Sequence, residues 1–213
     1  MKVAVFTGNP IQQNGSIVYN EQGDAVIIDP SCYDRYEQQE WIDFIREHNL
    51  KVHAVLNTHC HIDHVTGNAF FVNHFNIPLM AHKEELFTLS FAERSAQMYG
   101  LTAYVPSPEP TDYLTDKQVL KFGELELKVI FGPGHAVGHV AFYSEADHLL
   151  IGGDILFKGS FGRVDLPGGS MEVLKKTIFE RIFTLPDNTV VYPGHGPTTT
   201  IGEEKRTNYI HQF

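Results

Sequence analysis

The stretch NTHCHIDHVTG, residues 57–67, sets three histidines and an aspartate (His59, His61, Asp63 and His64) within six positions, directly after the apolar run VHAVL at 52–56. Imidazole and carboxylate groups drawn out of water must be paired or must ligate a cation, so the backbone here has to gather them rather than scatter them. If residues 58–61 are extended, alternate side chains face opposite ways: His59 and His61 share one side and Cys60 turns to the other. Asp63 and His64 then fall in the turn after the strand, where the chain folds them back toward the same cavity before a helix over residues 65–75. This is the pattern of a buried strand ending at a pair of adjacent metal sites, and the donor set suits Zn, Fe or Mn. His48, His53, His74, His82, His148 and His211 stand in no comparable pattern.

Three later segments share this character: GPGHAVGH at 132–139, IGGDILF at 151–157 and YPGHGP at 192–197. Each sets a histidine or aspartate between an apolar strand and a glycine, which lets the backbone turn sharply and approach a ligand closely. Any one of them alone reads as a hairpin turn; beside the first cluster, they offer His135, His139, Asp154 and His195 to the same centre.

The runs KVAVF, SIVYN and DAVIID, separated by Gly and Asn turn signals, predict successive antiparallel strands. From Arg35 to His48, Trp41, Ile42, Phe44 and Ile45 fall on one helical face. VHAVLNTH returns to strand character without polar alternation, as for a strand covered on both faces. The second half repeats the plan: hairpin strands in VLKFGELELKVIFGPG and VAFYSEADHLLIGGDILF, an amphipathic helix in SMEVLKKTIFERIFTL, and a strand in TVVYPGH. Strands followed by helices in each half predict an α/β architecture of two sheets packed face to face with helices outside. The 213 residues fit one domain over 1–213, with PSPEPTD at 106–112 a surface loop rather than a linker.

A formal charge of -10, with no Lys/Arg cluster longer than a pair, weighs against a nucleic-acid partner. No window approaches a membrane span, and the opening MKVAVFTGNPIQQNG is too short an apolar run for a secretory leader, so a cytoplasmic protein is expected. Two cysteines build no disulfide framework.

The order H-x-H-x-D-H, then separate His, Asp and His, resembles the metallo-β-lactamase superfamily over essentially the whole chain. That resemblance implies a four-layer αββα sandwich with metals at one edge. GDILFKGSFGRVDLPGG and PGHGPTTTIGEEKRTN are similar to the glyoxalase II group, in particular its short single-domain bacterial members. The resemblance makes His59, His61 and His135 ligands of one metal and Asp63, His64 and His195 ligands of a second, with Asp154 bridging. It makes His139 a support rather than a ligand, and Arg163, helped by Lys158, a contact for glutathione. The cofactor it implies is Zn2+, one or two ions, with Fe2+ or Mn2+ as substitutes. The activity it implies is hydrolysis of S-D-lactoylglutathione, or a related 2-hydroxyacylglutathione thioester, by a metal-bound hydroxide that Asp63 helps to orient. Metals lower the pKa of bound water from 15.7 to about 7. A thiol of reference pKa about 8.5 leaves without an obligatory acid, and the sequence offers none.

The chain departs from that group in three places. No helical C-terminal domain like that of full-length glyoxalase II enzymes is expected, and the chain carries Ala136-Val137 where Thr-Pro is common and Asn208-Tyr209 where Asn-Pro is common. The last two are expected to alter loops and not ligation. The principal alternative is a mononuclear Fe(II) persulfide dioxygenase of the same fold, using His59, His135 and Asp154 as a facial triad. A β-lactamase would be exported, flavo-diiron enzymes place Glu at the position of His61 and add a flavin domain, and nucleases of this superfamily add an inserted domain and a basic face. A metal-stabilised scaffold without turnover is the non-enzymatic reading. The expected partner is the small-molecule thioester alone, and the residues specify no oligomeric state.

Overall fold

The computed structural model describes all residues from Met1 to Phe213. Six strands form the first sheet in the order of the chain: Lys2–Gly8 (β1), Gln13–Tyr19 (β2), Asp24–Ile28 (β3), Lys51–Leu56 (β4), Leu79–His82 (β5) and Asp112–Leu114 (β6). The β1/β2 and β2/β3 pairs are antiparallel, whereas β3/β4, β4/β5 and β5/β6 are parallel. The second sheet comprises Val119–Phe122 (β7), Leu125–Phe131 (β8), Val140–Ser144 (β9), Leu149–Gly153 (β10), Val190–Pro193 (β11) and Thr199–Thr200 (β12). Its neighbours run β12-β11-β10-β9-β8-β7, with β10/β11 its parallel pair.

The period-two alternation of strands sorts side chains into three cores. Val18, Val26, Ile28 and Leu56 of the first sheet meet Leu127, Val129, Val140, Phe142 and Ile151 of the second, filling the space between the sheets. The intervening residues Ile17, Ala25, Ile27 and Val55 face outward against Trp41 and Ile45 of α1 (Arg35–Glu47) and Phe71 of α2 (Asn68–Phe75). Two short helices, α3 (Glu85–Leu89) and α4 (Ala92–Met98), follow β5. Ala141, Tyr143, Leu150 and Val191 do the same as the outward residues of the first sheet, on the other side, against Leu174 of α5 (Met171–Thr177), Ile178, Ile182, and Ile201 of α6 (Ile201–Thr207). Strand faces that are apolar on both sides thus produce four layers, αββα.

Local chemistry fixes the helix ends. Asp34 caps α1 by accepting from the backbone N–H groups of Tyr36 and Glu37, a contribution of about 1 kcal/mol. The helix expected over 65–75 begins only at Asn68, because the Gly67 N–H donates to the Pro30 carbonyl and holds residues 65–67 in a turn. The helix expected over SMEVLKKTIFERIFTL is α-helical to Thr177 and then widens into a π turn over Ile178–Ile182. None of the helices is long and apolar enough to cross a membrane.

The topology aligns the carboxyl ends of β3, β4, β8, β10 and β11 on one edge of the sandwich. β3 and β4 are parallel, β10 and β11 are parallel, and two antiparallel steps return β8 to the direction of β10. The residues that follow those strands are Asp29, His59, His135, Asp154 and His195.

Candidate metal centre

β4 stops at Leu56, so the strand expected to carry on through His59 and His61 gives way to an irregular segment and a 3-10 turn over Ile62–His64. The two histidines face one centre all the same, with ring centroids 4.8 Å apart and planes at 90°. What holds this segment is Asp29, in left-handed backbone (φ 49) at the end of β3. Its Oδ1 accepts from the Thr58 N–H at 2.7 Å and its Oδ2 from the Thr58 hydroxyl at 2.5 Å and from His64 Nδ1 at 2.9 Å. Asp29 is not among the site residues expected from the sequence. The one signal for it is an aspartate closing an otherwise apolar strand, as His59 follows VHAVL.

Two groups of donors lie side by side. In the first, His135 Nε2 is 3.2 Å from His59 Nε2 and 2.9 Å from His61 Nδ1. In the second, Asp63 Oδ2 is 3.1 Å from His195 Nε2 and 3.6 Å from His64 Nε2. Asp154 faces both: its Oδ1 is 3.4 Å from His64 Nε2, and its Oδ2 is 3.5 Å from His135 Nε2 and 3.7 Å from His195 Nε2. Gly194 makes this seat available, since a β-carbon there would collide with Asp154 Oδ1. Asp29, His59 and His64 also cluster, but Nδ1 of His64 is already committed to Asp29.

Hydrogen bonds at the far ring atoms decide what the near ones offer. His135 Nδ1 must be the protonated nitrogen, because its partner at 2.6 Å is the Arg163 carbonyl. The Thr58 hydroxyl spends its proton on Asp29 and therefore accepts from His59 Nδ1 at 3.1 Å. Both Nε2 atoms then direct lone pairs at one another, an arrangement that a cation between them turns from repulsive to favourable. Zn–N bonds of about 2.0–2.1 Å in tetrahedral geometry place two nitrogens about 3.3 Å apart, close to the separation found. His64 Nε2 and Asp154 Oδ1 are buried without any hydrogen-bond partner, which points the same way. The donor set fits divalent metal.

Electrostatics divide the centre into a half of neutral imidazoles and a half in which carboxylates pair with imidazoles. Burial, then the neighbouring His135, pushes His61 down to about 3, and burial likewise lowers His59 and His135. These imidazoles keep their lone pairs free. Burial opposes charge on His64 as well, but Asp63, Asp154 and Asp29 outweigh it and raise the group well above the usual imidazole range. Burial also works against the charge on Asp63 and Asp154, yet His64 and the other histidines hold both carboxyls below their ordinary values.

His139 lies outside both groups. It stacks on His59 at 4.6 Å, and its Nε2 accepts the backbone N–H of Asp154 at 3.0 Å. The Cys60 thiol points into an apolar cluster with Ile62, Val65 and Ala81, where burial raises its pKa. Arg163 reaches the centre through its carbonyl; its half-exposed guanidinium is gripped by Asp165 at 2.6 and 2.7 Å. Lys158 sits 3.8 Å from Glu203.

Residues 8–195 match the family described as the metallo-beta-lactamase superfamily. The hydroxyacylglutathione hydrolase GloC of Haemophilus influenzae is 31% identical, over 98% of this chain and 97% of that protein. TTHA1623 in a di-iron-bound form is 36% identical, with a TM-score of 0.86 over 97% of this chain and 98% of that one. The BLEG-1 B3 metallo-beta-lactamase is 32% identical, with a TM-score of 0.88 over 98% of each chain.

Proposed function

We propose that this chain, which belongs to the metallo-β-lactamase superfamily, is a metal-dependent hydrolase that cleaves a glutathione thioester, S-D-lactoylglutathione or a related 2-hydroxyacylglutathione. The observation that carries this reading is the pair of donor groups with Asp154 between them. The 31% identity to a hydroxyacylglutathione hydrolase over nearly the full length of both proteins supports the substrate class. In this reading His59, His61 and His135 hold one cation, Asp63, His64 and His195 the second, and Asp154 both. Zn2+ suits the imidazole-rich half, and Fe2+ or Mn2+ suits the same ligands; the di-iron form of a 36% identical protein supports a two-metal centre.

Such cations supply Lewis acidity toward the thioester carbonyl and make water nucleophilic near neutral pH. The rest falls to the side chains. Asp63, whose carboxylate lies 3.1 Å from His195 Nε2, accepts a hydrogen bond from the attacking water and orients it. His59, His61 and His135, engaged as ligands, offer the leaving group no proton, and a thiol of reference pKa about 8.5 departs as a thiolate, which a thioester permits and an ordinary amide does not. Arg163 and Lys158 are the cations of the loop after Asp154, and they fit the carboxylates of glutathione. Asp165 takes Nε and Nη2 of Arg163 and leaves Nη1 for a substrate carboxylate.

Two assays on the metal-loaded protein test the reading. Thiol release from S-D-lactoylglutathione without oxygen consumption is the expected result. Oxygen uptake with glutathione persulfide and no thiol release would replace the hydrolase with an iron dioxygenase, and inactivity toward both would overturn catalysis on these substrates.

A further inference from the structure

Glu85, the first residue of α3 (Glu85–Leu89), is fully buried, while its neighbour Glu84 is exposed. No lysine, arginine or histidine pairs with its carboxylate. Oε2 instead accepts the backbone N–H of Cys60 at 2.7 Å, and Oε1 accepts the backbone N–H of Gly138, also at 2.7 Å. Cys60 lies between His59 and His61, and Gly138 lies between His135 and His139. One side chain therefore spans the two loops that deliver the imidazole half of the centre, one loop from each sheet.

The chain makes room for this contact. A β-carbon at Gly138 would stand 2.8 Å from the Glu85 backbone nitrogen and 3.0 Å from its Cγ, so a larger residue there would push the carboxylate away. Cys60 takes part through its backbone, which explains how a residue between two histidines matters while its thiol is turned into the apolar cluster. Burying a carboxylate with no cationic side chain beside it is costly, and two short charge-assisted bonds offset only part of that cost. A positively charged centre behind those loops would offset more.

We propose that Glu85 is a positioning residue that sets the spacing of His59 and His61 against His135. The proposal rests on the reading of these histidines as a metal site. Groups behind the ligands typically change metal affinity 10–100-fold when removed. Glu85→Gln keeps the shape but aims an amide N–H2 at one of the two N–H donors. It is expected to weaken zinc binding, measured by competition with a chromogenic chelator, by about 10–100-fold, and to alter the visible absorption of the Co2+-substituted protein. Gly138→Ala should weaken zinc in the same direction, and it carries the test if Glu85→Gln does not fold. Ile45→Val, a trim on α1 that touches neither loop, should leave affinity unchanged.

Wild-type affinity and an unchanged Co2+ spectrum in folded Glu85→Gln, or in Gly138→Ala if it stands in, would overturn the proposal while leaving the metal site intact. Equal weakening by Ile45→Val would overturn it as well, by showing general destabilisation. Failure of the wild-type protein itself to take up divalent metal would instead strike the site on which the proposal rests.

Discussion

Asp154→Ala is expected to lose metal and thioester cleavage together while keeping its fold. Asp154 is the one carboxylate whose two oxygens face both donor groups, at 3.4–3.7 Å from three imidazole nitrogens. In the proposed two-metal centre its removal would take a ligand from each cation, and it leaves His64 Nε2 facing Asp63. Loss of metal polarisation is worth several kcal/mol of transition-state stabilisation, so activity should fall at least about 1,000-fold. The fold should survive because the structural bond at this position, from the Asp154 backbone N–H to His139, does not use the side chain. Metal content, turnover and the far-ultraviolet circular dichroism spectrum check the three parts of this result. Normal turnover in the variant would contradict the place given to Asp154.

Asp29→Ala should cost more in stability than any change among the ligands. Asp29 is buried and accepts from Thr58 twice, from His64 Nδ1 and, at 3.3 Å, from the Asn57 amide, so alanine strands several buried donors at once. Removing one partner from a buried charged network costs about 3–5 kcal/mol. Metal affinity should fall about 10–100-fold, because His64 loses the group that fixes its tautomer and ring orientation. Urea denaturation of the metal-free protein and chelator competition measure the two effects separately. Wild-type values in both would mean that His64 and the 57–64 segment are held by something other than Asp29.

Much of the fold was legible because its signals are periodic. Ile17 and Val18, or Ala141 and Phe142, alternate between two apolar environments, which identifies sheets covered on both faces. His135, Asp154 and His195 stood out because each follows an apolar strand and adjoins glycine. What was not legible depends on contacts distant in the chain. Helix α2 starts late through a bond from Gly67 to Pro30, and β4 ends early because Thr58 turns to Asp29. Glu85 sits in HKEEL, where only the fold distinguishes the buried glutamate from the exposed one beside it. Arg163 reads as a free cation in the sequence, yet Asp165 two residues on takes the Nε–Nη2 edge of its guanidinium.

The proposed chemistry requires the two donor groups to hold cations. Elemental analysis of the protein purified without added metal tests this most directly. One to two equivalents of zinc, iron or manganese per chain, removed by a strong chelator and restored by the metal alone, is the predicted result. A protein that carries no transition metal and takes up none when it is offered would contradict it.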